Sequence, residues 1–327
     1  MHSHPWMRVS CLQAAALMLT AFCAQPGLSQ TPPAPYTIPE TVQQIPTPLP
    51  PGNGRLQLLI ITGKNSYEHD WRGTTNALRK MLEDTGRLEV HVTEEFRGAT
   101  SATLKPYDAV LLNFTGRWFY SDPLEQRWGE PAESALFDYV RNGGGIVVYH
   151  ATFTMGAPSW PEFERLAGGT LRSTPTQSRR SPVDGFRVHV VDRQDPITRG
   201  MREYMWTLDD DMYTNMRWDP GTKIHVLVTG HDDPAVYSYK FAGPKYPPEA
   251  YTPEKLSAMP GMDQDHPLVW TSQFGKGRVY SFTLGHGPDT LLYDAVTSLL
   301  VRGAEWAATG AVTIPLKDKA RDFEAAP

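Results

Sequence analysis

From Arg55 onward the chain alternates apolar runs with amphipathic stretches. Leu56-Gln57-Leu58-Leu59-Ile60-Ile61 reads as a strand. The next stretch sets Leu78, Met81 and Leu82 on one helical face, and Leu88-Glu89-Val90-His91-Val92 reads as a second strand, completing a βαβ opening. A third run, Ala109-Val110-Leu111-Leu112-Asn113, precedes a helix marked by Leu136, Tyr139 and Val140 at three-four spacing. Gly143-Gly144-Gly145 ends that helix and turns tightly into Ile146-Val147-Val148-Tyr149-His150. Apolar runs without polar alternation belong to strands covered on both faces, as in a parallel sheet between helices. The pattern predicts an α/β fold: a doubly wound, mostly parallel sheet with helices on both faces.

The second half is less regular. Strands are expected at 186–191, 223–229, 268–273 and 277–283, all extending the same sheet, and a final helix carries Leu292, Val296, Leu299, Leu300 and Gly303. Segments 114–131 and 240–266, rich in Pro, Gly and Tyr, exceed the usual connection length and are candidate lids or binding walls.

The N-terminus has a different composition. Arg8 precedes an apolar run from Cys11 to Ala24, too short to span a bilayer, and Gly27-Leu28-Ser29 offers a small-x-small cleavage site. A lipoprotein reading needs a small residue before Cys23 and meets Phe22. Residues 1–29 are therefore expected to be a signal peptide, 30–54 a proline-rich linker, 55–312 the α/β domain and 313–327 a C-terminal tail. The mature protein is expected to be periplasmic or secreted, with no transmembrane segment. Both cysteines, Cys11 and Cys23, would be lost with the signal, which excludes disulfides, thiolate metal ligands and a cysteine nucleophile. The formal net charge is −5 and no basic stripe is visible, so nucleic acid is not an expected partner. Arg179-Arg180 reads as a solvated loop pair. A homodimer is the commonest assembly for soluble chains, and nothing in the sequence adds to that.

In open α/β sheets, ligands bind beyond the carboxyl ends of the parallel strands. His69, Asp70 and Trp71 follow the first strand, Asn113 ends the third, His150 ends the fourth, and His286 follows the run 277–283. Three histidines thus point to one rim. Imidazoles converging there suit acid–base work or a divalent metal, which would need a carboxylate or third nitrogen at about 2 Å. Carboxylate candidates are Asp70, Glu162 and Asp209-Asp210-Asp211. In an extended segment Asp209 and Asp211 share one side and Asp210 faces the other, with Tyr213 on the side of Asp211. Trp71, Trp118, Phe119, Trp160 and Trp206 are of a type that stacks on sugar faces, although most such residues serve packing. No G-x-S-x-G, H-E-x-x-H, G-x-G-x-x-G or phosphate loop occurs, so serine-hydrolase, zincin, dinucleotide and nucleotide readings lose their support.

Several stretches recur together in one known family: Ile60-Ile61-Thr62-Gly63, His69-Asp70-Trp71-Arg72-Gly73-Thr74-Thr75, Leu112-Asn113-Phe114-Thr115-Gly116, Gly143 to Ala151, Trp160-Pro161-Glu162-Phe163, Asp210-Asp211-Met212-Tyr213, and Gly275 to Tyr280 leading to Leu284-Gly285-His286. In this set the chain resembles the ThuA-like (trehalose-utilisation) family, over about residues 56–309. The resemblance implies a flavodoxin-like sheet of the class I glutamine amidotransferase-like superfamily, with His150-Ala151-Thr152 where the nucleophile elbow would stand. Without cysteine there, glutamine hydrolysis is not carried over. It also implies disaccharide or keto-sugar metabolism. Where the family commonly has Asp-Glu-Leu-Tyr after a histidine, this chain has Asp210-Asp211-Met212-Tyr213 with Thr207 nearby. The site expected from these readings has His150, His286 and Asp211 as catalytic groups, with His69, Asp70, Trp71, Asn113, Trp160 and Tyr213 binding a small sugar ligand. A non-catalytic sugar-binding module and a metal-dependent hydrolase remain as alternatives.

Overall fold

The structure, a computed structural model, describes residues 54–63, 69–116, 127–157, 159–172, 175–237 and 251–317. The expected signal peptide, nearly all of the linker, Trp118 and Phe119, parts of segments 114–131 and 240–266, and the end of the tail lie outside the described residues.

The first half follows the predicted alternation: β1 (Leu56–Ile61), α1 (Trp71–Glu83), β2 (Leu88–Thr93), a single turn α2 (Ser101–Leu104), β3 (Ala109–Leu112), α3 (Ala132–Arg141) and β4 (Gly145–Tyr149). After α4 (Pro161–Ala167) come β5 (Asp184–Val190), β6 (Tyr204–Asp210), β7 (His225–His231), α5 (Pro253–Ser257), β8 (Asp265–Phe274), β9 (Gly277–Phe282) and α6 (Asp294–Thr309). One 9-stranded sheet joins all nine strands in the order β2-β1-β3-β4-β9-β8-β7-β5-β6. From β2 to β9 the neighbours are parallel, in the strand order of flavodoxin-like sheets. From β9 to β6 they are antiparallel. The strands expected in the second half therefore do extend the same sheet. Strand β6 was not anticipated, because its edge position leaves only every second residue covered and gives Tyr204–Asp210 no continuous apolar run.

Side-chain alternation explains why helices are needed on both faces. Leu58 and Ile60 of β1 enter a core with Leu78 and Leu82 of α1 and Leu299, Leu300 and Ala304 of α6. Leu59 and Ile61 enter the opposite core with Leu136 and Val140 of α3 and Phe163 and Leu166 of α4. Each such buried side chain is worth about 1.5–3 kcal/mol of transfer free energy, so neither face tolerates exposure. Close approach adds a second constraint. A Cβ on Gly145 would lie 2.1 Å from the Ala307 carbonyl oxygen, and one on Gly303 would lie 2.0 Å from the Tyr280 ring, so glycine lets α6 sit directly on β4 and β9. Among the described residues no helix is long and apolar enough to cross a membrane.

The registers align the carboxyl ends of the parallel strands. Ile61 pairs with Leu112, Leu112 with Val148, and Tyr149 with Phe282. The residues just beyond β1, β3, β4 and β9 consequently share one rim.

Candidate functional site

His150 leaves β4 with φ of 37°, in the left-handed region, and starts a tight helical turn, His150–Thr154. Such a conformation costs a non-glycine residue about 1–3 kcal/mol and persists only where its surroundings hold it. Here the holding bonds are local. Thr152 donates its hydroxyl to the Leu112 carbonyl at 2.8 Å and accepts from the Phe114 N–H at 3.2 Å. The His150 ring donates from Nδ1 to the Thr283 carbonyl at 2.6 Å. A carbonyl only accepts, so Nδ1 carries the proton and the neutral ring presents a lone pair at Nε2. That Nε2 lies 3.2 Å from His69 Nε2 and 3.5 Å from Asp211 Oδ1.

His286 reaches the same point from the end of β9. Gly285, at φ of 100°, turns the chain, and Tyr149 donates its hydroxyl to the Gly285 carbonyl at 2.6 Å. A Cβ at Gly285 would lie 2.1 Å from that hydroxyl oxygen, so the close approach and the turn both require glycine. Ring centroids are 4.8 Å apart for His69 and His286, 5.0 Å for His69 and His150, and 5.5 Å for His150 and His286. Tyr213 packs its ring 5.0 Å from His150. The three histidines expected at one rim form one cluster.

The acidic triplet departs from simple alternation. Asp209 is exposed and adopts φ of 55°, which breaks the extended geometry on which the opposite-sides expectation rested. Asp210 and Asp211 are both buried at the site as a result. Asp210 accepts from the Gly285 N–H at 2.9 Å, the His286 N–H at 3.0 Å and the Asp211 N–H at 3.0 Å, so it clamps the loop that carries His286. Asp211 places Oδ2 3.5 Å from His286 Nδ1 and 3.6 Å from the Arg180 guanidinium. Its Oδ1 and His286 Nδ1 are buried without a hydrogen-bond partner.

Electrostatics divides the cluster. Burial, reinforced by the other two imidazoles, lowers His69 to about 2. Burial likewise lowers His150 to about 4, against the pull of Asp211. Both are neutral at physiological pH. His286 is raised, because its contact with Asp211 outweighs burial. Burial alone would raise Asp211, yet His286, His150 and Arg180 hold it at about 2. Burial and the neighbouring Asp211 charge push Asp210 up to about 7, opposed by its backbone donors.

The remaining expected residues divide between rim and scaffold. Asp70 is the N-cap of α1, accepting from the Gly73 N–H at 3.0 Å, and Trp71 begins that helix under the Arg72 guanidinium. Asn113 is buried and donates to the Thr75 hydroxyl at 3.0 Å, which in turn lies 2.9 Å from the Thr62 hydroxyl, so it braces the ends of β1 and β3. Trp160, expected to bind ligand, is 5% exposed, stacks on Phe163 and meets Phe137 edge-on, the contacts of a packing residue. Glu162 is a surface group paired with Arg141 at 2.7 Å. Arg179 and Arg180 are likewise not a solvated pair. They form a short antiparallel ladder with Tyr213 and Thr214, which sends neighbouring side chains to opposite sides. Arg179 pairs with buried Asp232 and donates to the Tyr237 hydroxyl at 3.0 Å, while Arg180 approaches Asp211. Sequence reading missed Arg180 as a site residue, and it named Asp210 only as a carboxylate candidate without placing it in the site. The Asp-Asp repeat was visible, but only the left-handed turn at Asp209 and the ladder at Arg180 bring these groups inward.

The described residues thus form a flavodoxin-like sheet with a histidine at the strained turn after β4. The chain belongs to the ThuA family, described as trehalose utilisation, whose model matches residues 57–307. Among solved structures it is similar to a ThuA-like protein from Parabacteroides merdae, with 23% identity over 83% of this chain and 95% of that one, at a TM-score of 0.64. It is also similar to a ThuA-like protein from Bacteroides uniformis, with 19% identity over 83% of this chain and 96% of that one, at a TM-score of 0.56. No curated protein matches the sequence. At these identities the structural likeness concerns the fold, and the family points to carbohydrate metabolism.

Proposed function

We propose that the rim cleft takes a small sugar-derived substrate, a disaccharide or its keto form, and moves a proton at carbon beside a carbonyl. The observation that carries this reading is the convergence of His69, His150 and His286 on Asp211 at the carboxyl ends of β1, β4 and β9. Neutral imidazoles offer lone pairs, and the contact with Asp211 makes His286 hold a proton more tightly than a free imidazole does. No nucleophile is needed for isomerisation or elimination of this kind. The signal peptide expected from the sequence of residues 1–29 supports placing the activity outside the cytoplasm.

Deuterium exchange tests the reading. The protein, incubated in heavy water with a keto-disaccharide, is expected to exchange the hydrogen beside the carbonyl at a rate proportional to enzyme concentration, as read by proton NMR. A ligand that binds saturably with neither exchange nor product across keto- and parent disaccharides would overturn it and leave a sugar-binding module.

A further inference from the structure

We propose that His69, His150 and His286 together hold one divalent transition-metal ion, with the Asp211 carboxylate beside it. The inference uses the same cleft as the proposed function but not its substrate. Ligand atoms of the three histidines all lie within 4.8 Å of one another. Two nitrogens bound at about 2.0–2.1 Å to one ion stand about 3–3.4 Å apart, and the His69 and His150 Nε2 atoms are separated by 3.2 Å.

The outer partners are those of metal-binding imidazoles. A ligating histidine fixes its tautomer by donating the other ring N–H to a carbonyl or carboxylate. His150 does so to Thr283. His286 has Asp211 against Nδ1, leaving its other nitrogen for the cleft.

Two buried polar atoms, Asp211 Oδ1 and His286 Nδ1, have no hydrogen-bond partner, and Asp211 is only 1% exposed. A cation among the imidazoles would add to the counter-charge that Arg180 and His286 already place beside the buried carboxylate. Asp210 does not compete, since backbone N–H groups already occupy its oxygens. For an ion to sit between the His69 and His150 Nε2 atoms, the proton they share must leave, so metal binding should release protons. A nitrogen-rich set with one carboxylate and no thiolate suits zinc, manganese, iron or cobalt better than magnesium or calcium. Loaded, the ion would polarise a substrate carbonyl oxygen in place of a bare imidazole.

A second cluster, Asp192, Asp195 and His225, is a control. It lies at the surface, and its carboxylates already accept from the Gln194, Asp195 and Ile197 N–H groups.

The test uses chelator-stripped protein titrated with zinc or manganese alone against a chromophoric chelator. One equivalent is expected to bind to the wild type and to His225→Ala. Binding should be at least tenfold weaker in His69→Ala and in His286→Ala, variants at partly exposed positions whose folding is checked by circular dichroism. X-ray absorption of the zinc-loaded wild type should show imidazole ligands, a readout needing no variant. Absence of stoichiometric binding, undiminished binding by both folded variants, or a spectrum without imidazole would overturn the proposal. Metal binding without deuterium exchange would instead count against the proposed function alone.

Discussion

Replacing His150 by Asn is expected to slow deuterium exchange by about two to four orders of magnitude while the protein stays folded, the usual worth of a positioned acid–base group. Asparagine is chosen for its tolerance of the left-handed region that His150 occupies at φ of 37°. The substitution removes the Nε2 lone pair that lies 3.2 Å from His69 and 3.5 Å from Asp211. Circular dichroism and the thermal midpoint separate loss of chemistry from loss of fold. Exchange at the wild-type rate in a folded variant would take His150 out of the mechanism.

A second large effect falls on stability. Asp210→Ala would leave the N–H groups of Gly285, His286 and Asp211 without their acceptor in a fully buried place. Each unsatisfied buried donor costs about 1–3 kcal/mol, so the three together should cost at least about 3 kcal/mol, a large part of the total for a typical domain. Asp210→Asn keeps one acceptor oxygen and should lose about half as much. Urea unfolding checks both, through a fall in midpoint at unchanged slope. An Asp210→Ala midpoint within error of the wild type would show that the loop of His286 is held by something else.

Much of the parallel half was legible because its signals are local. Uninterrupted apolar strands, three-four spacing in α1 and α3, and the glycines before β4 each state their own conformation. The histidine cluster was legible for a different reason: strand ends in a doubly wound sheet must share a rim, so position in sequence implies position in space. The Asp209–Asp211 segment failed because a left-handed residue changes which side chains turn inward, and no pattern of polarity marks it. Arg180 failed because its partner strand is two residues long. Trp160 shows the limit of residue type, since the same indole serves packing or stacking according to neighbours such as Phe137 and Phe163, which lie far from it or beside it in sequence.

The account rests on the three imidazoles acting as one unit. Exchange rates of His69→Ala, His286→Ala and the double variant measure this directly, because groups that act as a unit lose far less in combination than their separate losses multiplied. The double variant is predicted to be little slower than the worse single one. Losses that multiply would contradict the account, since each histidine would then act alone.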